Sequence, residues 1–160
     1  MKEKIFNSEV VASLRMAGAW AYKIPDSPVS WTMKQTRFTG AKPFDIAACI
    51  YGKFVAIESK QIKKFQKFGV QNLRDSQIEN LNAVVKAGGI GVVFLNIRIK
   101  PDRGRGIIRR NRLLWFWWSK GVNTWSFDRY QLEDVAYVEG KKKIFDLLGF
   151  VNFVREVNSK

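Results

Sequence analysis

Residues 43–60 read Pro43-Phe44-Asp45-Ile46-Ala47-Ala48-Cys49-Ile50-Tyr51-Gly52-Lys53-Phe54-Val55-Ala56-Ile57-Glu58-Ser59-Lys60. Two apolar runs, Phe44 to Tyr51 and Phe54 to Ile57 with its polar extension, flank Gly52-Lys53. Glycine at the first central position suits a two-residue type II′ turn, so the spacing predicts a β-hairpin. Side chains alternate along a strand, which places Phe54, Ala56, Glu58 and Lys60 on one face. A Gly52-Lys53 turn sets Asp45 opposite Lys60 and Ala47 opposite Glu58, and opposed residues share a face. Two acidic groups, Asp45 and Glu58, and the Lys60 ammonium then converge, with small Ala47, Cys49 and Ala56 leaving space around them. A three-residue turn would oppose Asp45 to Ser59 and destroy the patch.

Outward from the hairpin, residues 3 to 17 read as a helix with Phe6, Val10 and Leu14 on one stripe, stopped by Gly18. Trp20 to Ile24 reads as a short strand. Pro25 to Lys42 is punctuated by Pro25, Asp26, Pro28 and Gly40 and holds Lys34, Arg37 and Lys42. It reads as a mobile loop or short projecting hairpin. After the hairpin comes a basic connector with Lys63, Lys64 and Lys67, then a helix near Ser76, where Ser76-Gln77-Ile78-Glu79 forms a capping box. Ile78, Leu81 and Val85 give that helix its apolar face, and Gly88-Gly89 ends it. Ile90 to Ile99 is a buried strand. A loop from Pro101 to Arg112 carries Arg103, Arg105, Arg109, Arg110 and Arg112. Leu113 to Trp118 is a strand, Phe127 to Val135 a helix, and the tail from Ile144 to Val157 mixes helical and strand-like features. One mixed α/β domain over residues 1–160 fits this order.

Composition narrows the chemistry. The chain has 28 Lys+Arg against 14 Asp+Glu, no His and one Cys. Without His there is no Ser-His-Asp or Cys-His nucleophile, and a lone Cys49 builds neither a zinc ribbon nor a disulfide framework. Hydrolysis here would run on carboxylates, lysines and a hard metal ion. A net charge of +14 calls for a polyanionic partner, nucleic acid first. No signal peptide, long apolar run or acylation signal is present, so the expectation is a cytoplasmic protein without a membrane partner.

The patch suits phosphodiester hydrolysis. Two carboxylates set diagonally, roughly 7–8 Å apart at the backbone, can reach one hard cation between them. Mg²⁺ prefers oxygen ligands, acidifies a bound water and stabilises charge on a phosphate. Lys60 could hold the attacking hydroxide or neutralise the transition state. Glu9 could add a carboxylate if its helix packs across the hairpin. Trp115, Phe116, Trp117 and Trp118 are read as burying both faces of their strand, one in the core and one against a partner subunit. The basic segments are read as positioning phosphates more than reading bases.

Pro43-Phe44-Asp45 followed by Ala56-Ile57-Glu58-Ser59-Lys60 resembles the PD-(D/E)XK nuclease motif. The surrounding order, with Glu9 on a first helix, a basic segment before Asp45 and a helix opening Ser76-Gln77, resembles the Holliday junction resolvases of the archaeal and bacterial RecU types and their phage relatives. The resemblance covers roughly residues 5 to 99. Phe44 is inserted into the motif, Ser76-Gln77 stands where RecU-like helices often open His-Gln, and residues after 100 have no counterpart. The resemblance implies a restriction-endonuclease-like mixed β-sheet flanked by helices. It also implies a homodimer that cuts four-way DNA junctions with Mg²⁺ or Mn²⁺. It assigns metal binding to Asp45, Glu58 and the Ser59 backbone carbonyl, catalysis to Lys60, support of the metal-water network to Glu9, and an active-site-facing position to Gln77. Charge and position, apart from the resemblance, give DNA contact to Lys34, Arg37, Lys42, Lys63, Lys64, Lys67, Arg103, Arg105, Arg109, Arg110 and Arg112. Two other readings stand beside it: a restriction-like or repair endonuclease on duplex or flap DNA, and a non-catalytic basic DNA-binding module.

Overall fold

The structure is a computed structural model that describes residues 2–26, 42–64, 66–100, 110–118, 126–127, 138–140 and 144–157. Its elements are helix α1 (Lys2–Met16) and strands β1 (Trp20–Lys23), β2 (Ile46–Ile50), β3 (Lys53–Ile62) and β4 (Phe68–Gly69). A 3-10 turn (Val70–Asn72) leads into α2 (Asp75–Lys86), followed by β5 (Ile90–Ile99), β6 (Arg110–Trp118), β7 (Ser126–Phe127), β8 (Val138–Glu139) and α3 (Leu148–Val157). Six strands form one mixed sheet in the order β1-β2-β3-β5-β6-β8, and β4 and β7 form a separate two-stranded pair. Among the described residues, the β3–β5 pairing is the one parallel pairing in the large sheet. Parallel neighbours need a long crossover, which α2 supplies.

Strand alternation divides the core between two faces of this sheet. On one, Ile46, Ala48, Ile50, Val55, Ile57, Val92 and Phe94 pack against Phe6, Val10 and Leu14 of α1 and Phe150, Val151 and Val154 of α3. On the other, Ala56, Val93 and Trp118 pack against Leu81 and Val85 of α2, with Phe44 and Leu73 at the margin. This is the expected α/β architecture, a mixed sheet flanked by helices. Gly91 lets α2 lie close on β5: a Cβ there would come within 3.0 Å of Trp118 Cβ and 3.5 Å of Leu81 Cδ2.

The hairpin forms, with a different turn. Ile50 pairs with Lys53, so the two loop residues are Tyr51 and Gly52, with φ of 49° and 77°. Two positive φ values define a type I′ turn, which matches the twist of the flanking strands as the expected type II′ at Gly52-Lys53 would have done. Pairing consequently slides by two residues: Ala47 faces Ala56, not Glu58, and Asp45 does not face Lys60. A slide of two leaves every side chain on its original face.

Other expectations shift locally. Helix α2 begins one residue before Ser76, and its cap is Arg74: the Arg74 N–H donates to Gln77 Oε1 at 2.9 Å, while the Gln77 N–H donates to the Arg74 carbonyl. The strand expected to start at Leu113 already includes Arg110 and Arg112, because its ladder with β5 runs on to Ile99. Phe127 lies in β7, not at a helix start; 128–135 lie outside the described residues. The mixed tail resolves into α3, which buries Phe150, Val151 and Val154 at helical spacing.

The aromatic strand β6 packs against helices of its own chain on both faces. Trp115 and Trp117 meet Phe150 and Phe153 of α3 edge-on, at 5.8 and 5.4 Å between centroids. Trp118 is buried against α2 and donates its indole N–H to Asn82 Oδ1 at 2.8 Å. Trp117 remains 48% exposed. The expected projection at 25–42 lies outside the described residues apart from 25, 26 and 42.

Candidate active site

Where β2 begins, its ladder with β3 opens. The Asp45 N–H still donates to the Ile57 carbonyl at 3.1 Å. Its side chain then replaces the next backbone partner, Oδ2 accepting the Ser59 N–H at 2.9 Å. Asp45 is thereby fixed beside Glu58 by the backbone of the strand that carries Glu58. Both carboxylates are buried, at 8% and 3% exposure, on the face covered by α2. The Lys60 ammonium, two residues on along the same face, lies 3.3 Å from Glu58 Oε1.

Gln77 reaches the group from α2. Its Oε1 is engaged by the Arg74 N–H, which leaves its amide N–H₂ to donate to Glu58 Oε1 in a short hydrogen bond. One side chain therefore closes the first turn of the helix and orients an acidic group on the sheet. The electrostatics match this crowding. Burial, followed by the neighbouring charge of Asp45, pushes Glu58 up to about 7, and Lys60 only partly offsets the two.

On its outer side Asp45 meets Lys42, whose Nζ lies 2.7 Å from Asp45 Oδ1 and 2.7 Å from Asp26 Oδ1. Burial, the largest single influence on Lys42, disfavours its charge, yet the hydrogen bonds to Asp26 and Asp45 outweigh it and raise its pKa. Asp26, bonded first to Lys42 and then to Lys4, is held down to about 2. Sequence reasoning placed Lys42 among the DNA contacts; the structure pairs it with Asp45 and Asp26.

Glu9 is not brought to this group. Its carboxylate is held by Arg98 in a short ion pair. Arg98 stands in register with Val92 and Phe94, which places the pair on the α1 face, opposite Asp45 and Glu58. There it joins a polar chain: Arg98 and Asn96 both donate to Asn111 Oδ1, and Gln61 donates to Asn96 Oδ1 at 2.7 Å. No sequence motif announced this chain.

The other basic candidates divide. Lys63, Lys64 and Lys67 are exposed beyond the end of β3. Arg112 is paired with Glu139, Nε to Oε1 at 3.1 Å, so it is a strut between β6 and β8. Lys34, Arg37, Arg103, Arg105 and Arg109 lie outside the described residues, as does the side chain of Arg110. Phe68 is buried beneath Ile62 and Leu95 and anchors the connector to the core; Phe65 lies outside the described residues.

Two hard oxygen donors, buried and forced close together, make a setting that a divalent cation relieves. Among the described residues no set of three or more His, Cys, Asp or Glu side chains gathers, so an ion here would rest on the two carboxylates and keep several waters. That fits Mg²⁺ or Mn²⁺ and not a site enclosed by protein ligands. No described helix is long and apolar enough to cross a membrane.

A family model described as RecU, recombination protein U, matches residues 22–155 of this chain. No curated protein matches it. Among solved structures, that of Hjc from Archaeoglobus fulgidus, titled as a Holliday junction resolvase from an archaeal hyperthermophile, aligns at 19% identity and a TM-score of 0.46. The alignment covers 78% of this chain and 87% of that one.

Proposed function

Because the chain belongs to the RecU family, we propose that it is a divalent-metal-dependent endonuclease of the PD-(D/E)XK type that resolves four-way DNA junctions. The observation that carries this reading is the meeting of Asp45, Glu58 and Lys60 on one sheet face, with Gln77 closing over them. The charge of +14 supports a DNA partner, and the sequence resemblance to Holliday junction resolvases supports the branched substrate. The same reading takes residues 1–160 as one nuclease domain in a cytoplasmic protein that acts as a homodimer, since symmetric resolution needs two sites on one side of an assembly.

In this reading Asp45 and Glu58 hold Mg²⁺ or Mn²⁺, with the Ser59 backbone carbonyl as a further ligand. When bound, the ion supplies acidification of water and stabilisation of negative charge on the phosphate. The chain's own residues do the rest. The Ser59 N–H fixes Asp45, and the Gln77 amide keeps Glu58 from turning away. Lys60 presents an ammonium to the attacking oxygen and to the developing phosphorane charge. Lys63, Lys64 and Lys67 hold backbone phosphates near the end of β3 without reading bases. Glu9, held by Arg98 on the other face, serves the packing of α1.

A synthetic four-way junction, with linear duplex and flap controls, tests the proposal. Wild-type protein should cut the junction symmetrically in Mg²⁺ or Mn²⁺, while Asp45→Asn and Glu58→Gln bind it and leave it whole. Preferential cutting of duplex or flap would shift the substrate to a restriction-like or repair role. Binding with no cleavage in either metal would leave a DNA-binding module.

A further inference from the structure

Asp45 has two carboxylate oxygens, and both are taken. Oδ2 accepts the Ser59 N–H at 2.9 Å, a bond that belongs to the sheet. Oδ1 holds the Lys42 ammonium at 2.7 Å, a bond to a flexible side chain that is 26% exposed. With Oδ2 committed to the sheet, Oδ1 is the oxygen that Asp45 offers most readily to a divalent ion shared with Glu58. The same ammonium is already 2.7 Å from Asp26 Oδ1, just beyond the end of β1, and Asp26 also holds Lys4 at 3.2 Å. Lys42 thus has one partner inside the site and one outside it.

Resting on the metal-site reading above, the geometry assigns to Lys42 the role of a displaceable counter-ion. It neutralises Asp45 before metal arrives and withdraws onto Asp26 when a divalent cation takes Oδ1. An ammonium and a divalent ion on one oxygen repel at contact distance, so metal at Oδ1 favours the departure of Lys42, which sits 2.7 Å from that oxygen. Asp26 gives the departing charge a partner and lowers the cost of its exit. Lys42 therefore tunes metal affinity without being a ligand, and Asp26 acts through Lys42.

Mn²⁺ titrated calorimetrically into the full chain, without DNA, reads this directly. Lys42→Met should bind Mn²⁺ about tenfold more tightly, the factor set by losing one charge-assisted hydrogen bond that competes for Oδ1. Asp26→Asn, which leaves Lys42 committed to Asp45, should bind about threefold more weakly. Adding Asp26→Asn to Lys42→Met should change nothing further. Lys4→Met, with the same loss of charge beside Asp26 but no contact with Asp45, should stay within about twofold of wild type. Unchanged or weaker binding by both Lys42→Met and Lys42→Gln overturns the assignment, as does an Asp26→Asn effect that persists undiminished without Lys42. If wild type binds Mn²⁺ and Glu58→Gln does not, such a result removes only the counter-ion role. If wild type binds no Mn²⁺, the metal-site reading falls as well.

Discussion

Replacing Glu58 with Gln should make the protein more stable at alkaline pH while abolishing cleavage. The folded protein raises the Glu58 pKa from its ordinary 4.5 to about 7, first through burial and then through Asp45. A raised carboxyl pKa means that the folded state favours the protonated form. Its contribution is fully present below pH 4.5 and is lost as pH rises through 7, after which the native state carries a buried, crowded charge. Over that interval the penalty has a ceiling of about 3 kcal/mol. Gln keeps the carbonyl oxygen for the Gln77 amide but forfeits the Lys60 ion pair, so about 1–3 kcal/mol should be recovered. For a domain of this size each kcal/mol moves Tm by about 2–4 °C. Thermal unfolding in chelator should then show Glu58→Gln melting about 2–12 °C above wild type at pH 8, with the gap closing near pH 4.5. Added Mg²⁺ should raise the wild-type Tm and leave the variant unmoved. A variant less stable than wild type at pH 8, or a gap independent of pH, would refute the claim that Glu58 is held under electrostatic stress.

Four further outcomes follow from the same contacts. Gln77→Ala removes a helix cap and the Glu58 amide partner together; it should cost about 1 kcal/mol in urea unfolding and lower cleavage with little change in junction affinity. Glu9→Ala should destabilise by about 1–3 kcal/mol, because it leaves the partly buried Arg98 guanidinium without its carboxylate, and Arg98→Met should restore most of the loss in the double variant. Neutralising Lys63, Lys64 and Lys67 together should flatten the salt dependence of junction binding by about 3 in log–log slope, measured by fluorescence anisotropy. Gly52→Ala places a Cβ at a φ of 77°, and should lower stability by about 1 kcal/mol.

How far the residues announced this arrangement depends on the kind of signal. The faces of the hairpin were legible because side-chain alternation is a parity rule: moving the turn from Gly52-Lys53 to Tyr51-Gly52 slid the pairing by two and left Asp45, Glu58 and Lys60 together. The register itself was not legible, since a Tyr at positive φ is uncommon and no local pattern advertises it. The strand Ile90–Ile99 was plain from its β-branched run. The start of α2 was misread because Ser76 is a better cap by composition than Arg74, whereas the cap that forms works through the Gln77 side chain. Glu9 looked available because its partner Arg98 lies 89 residues away. Lys42 looked like one more basic loop residue until Asp26 and Asp45 were seen on either side of it. Pairings of that kind belong to tertiary structure, and composition carries no trace of them.

The double engagement of Gln77 has a bearing on motion as well as on placement. A helix's opening turn is ordinarily the part that frays first and most often. Here the same amide that would be lost to fraying also steadies an acidic side chain across the interface, so each excursion at the start of α2 momentarily loosens the Glu58 carboxylate. Amide hydrogen exchange at Gln77 and Ile78 should therefore report on the readiness of the sheet residue opposite, and whatever quiets that turn should quiet Glu58 with it.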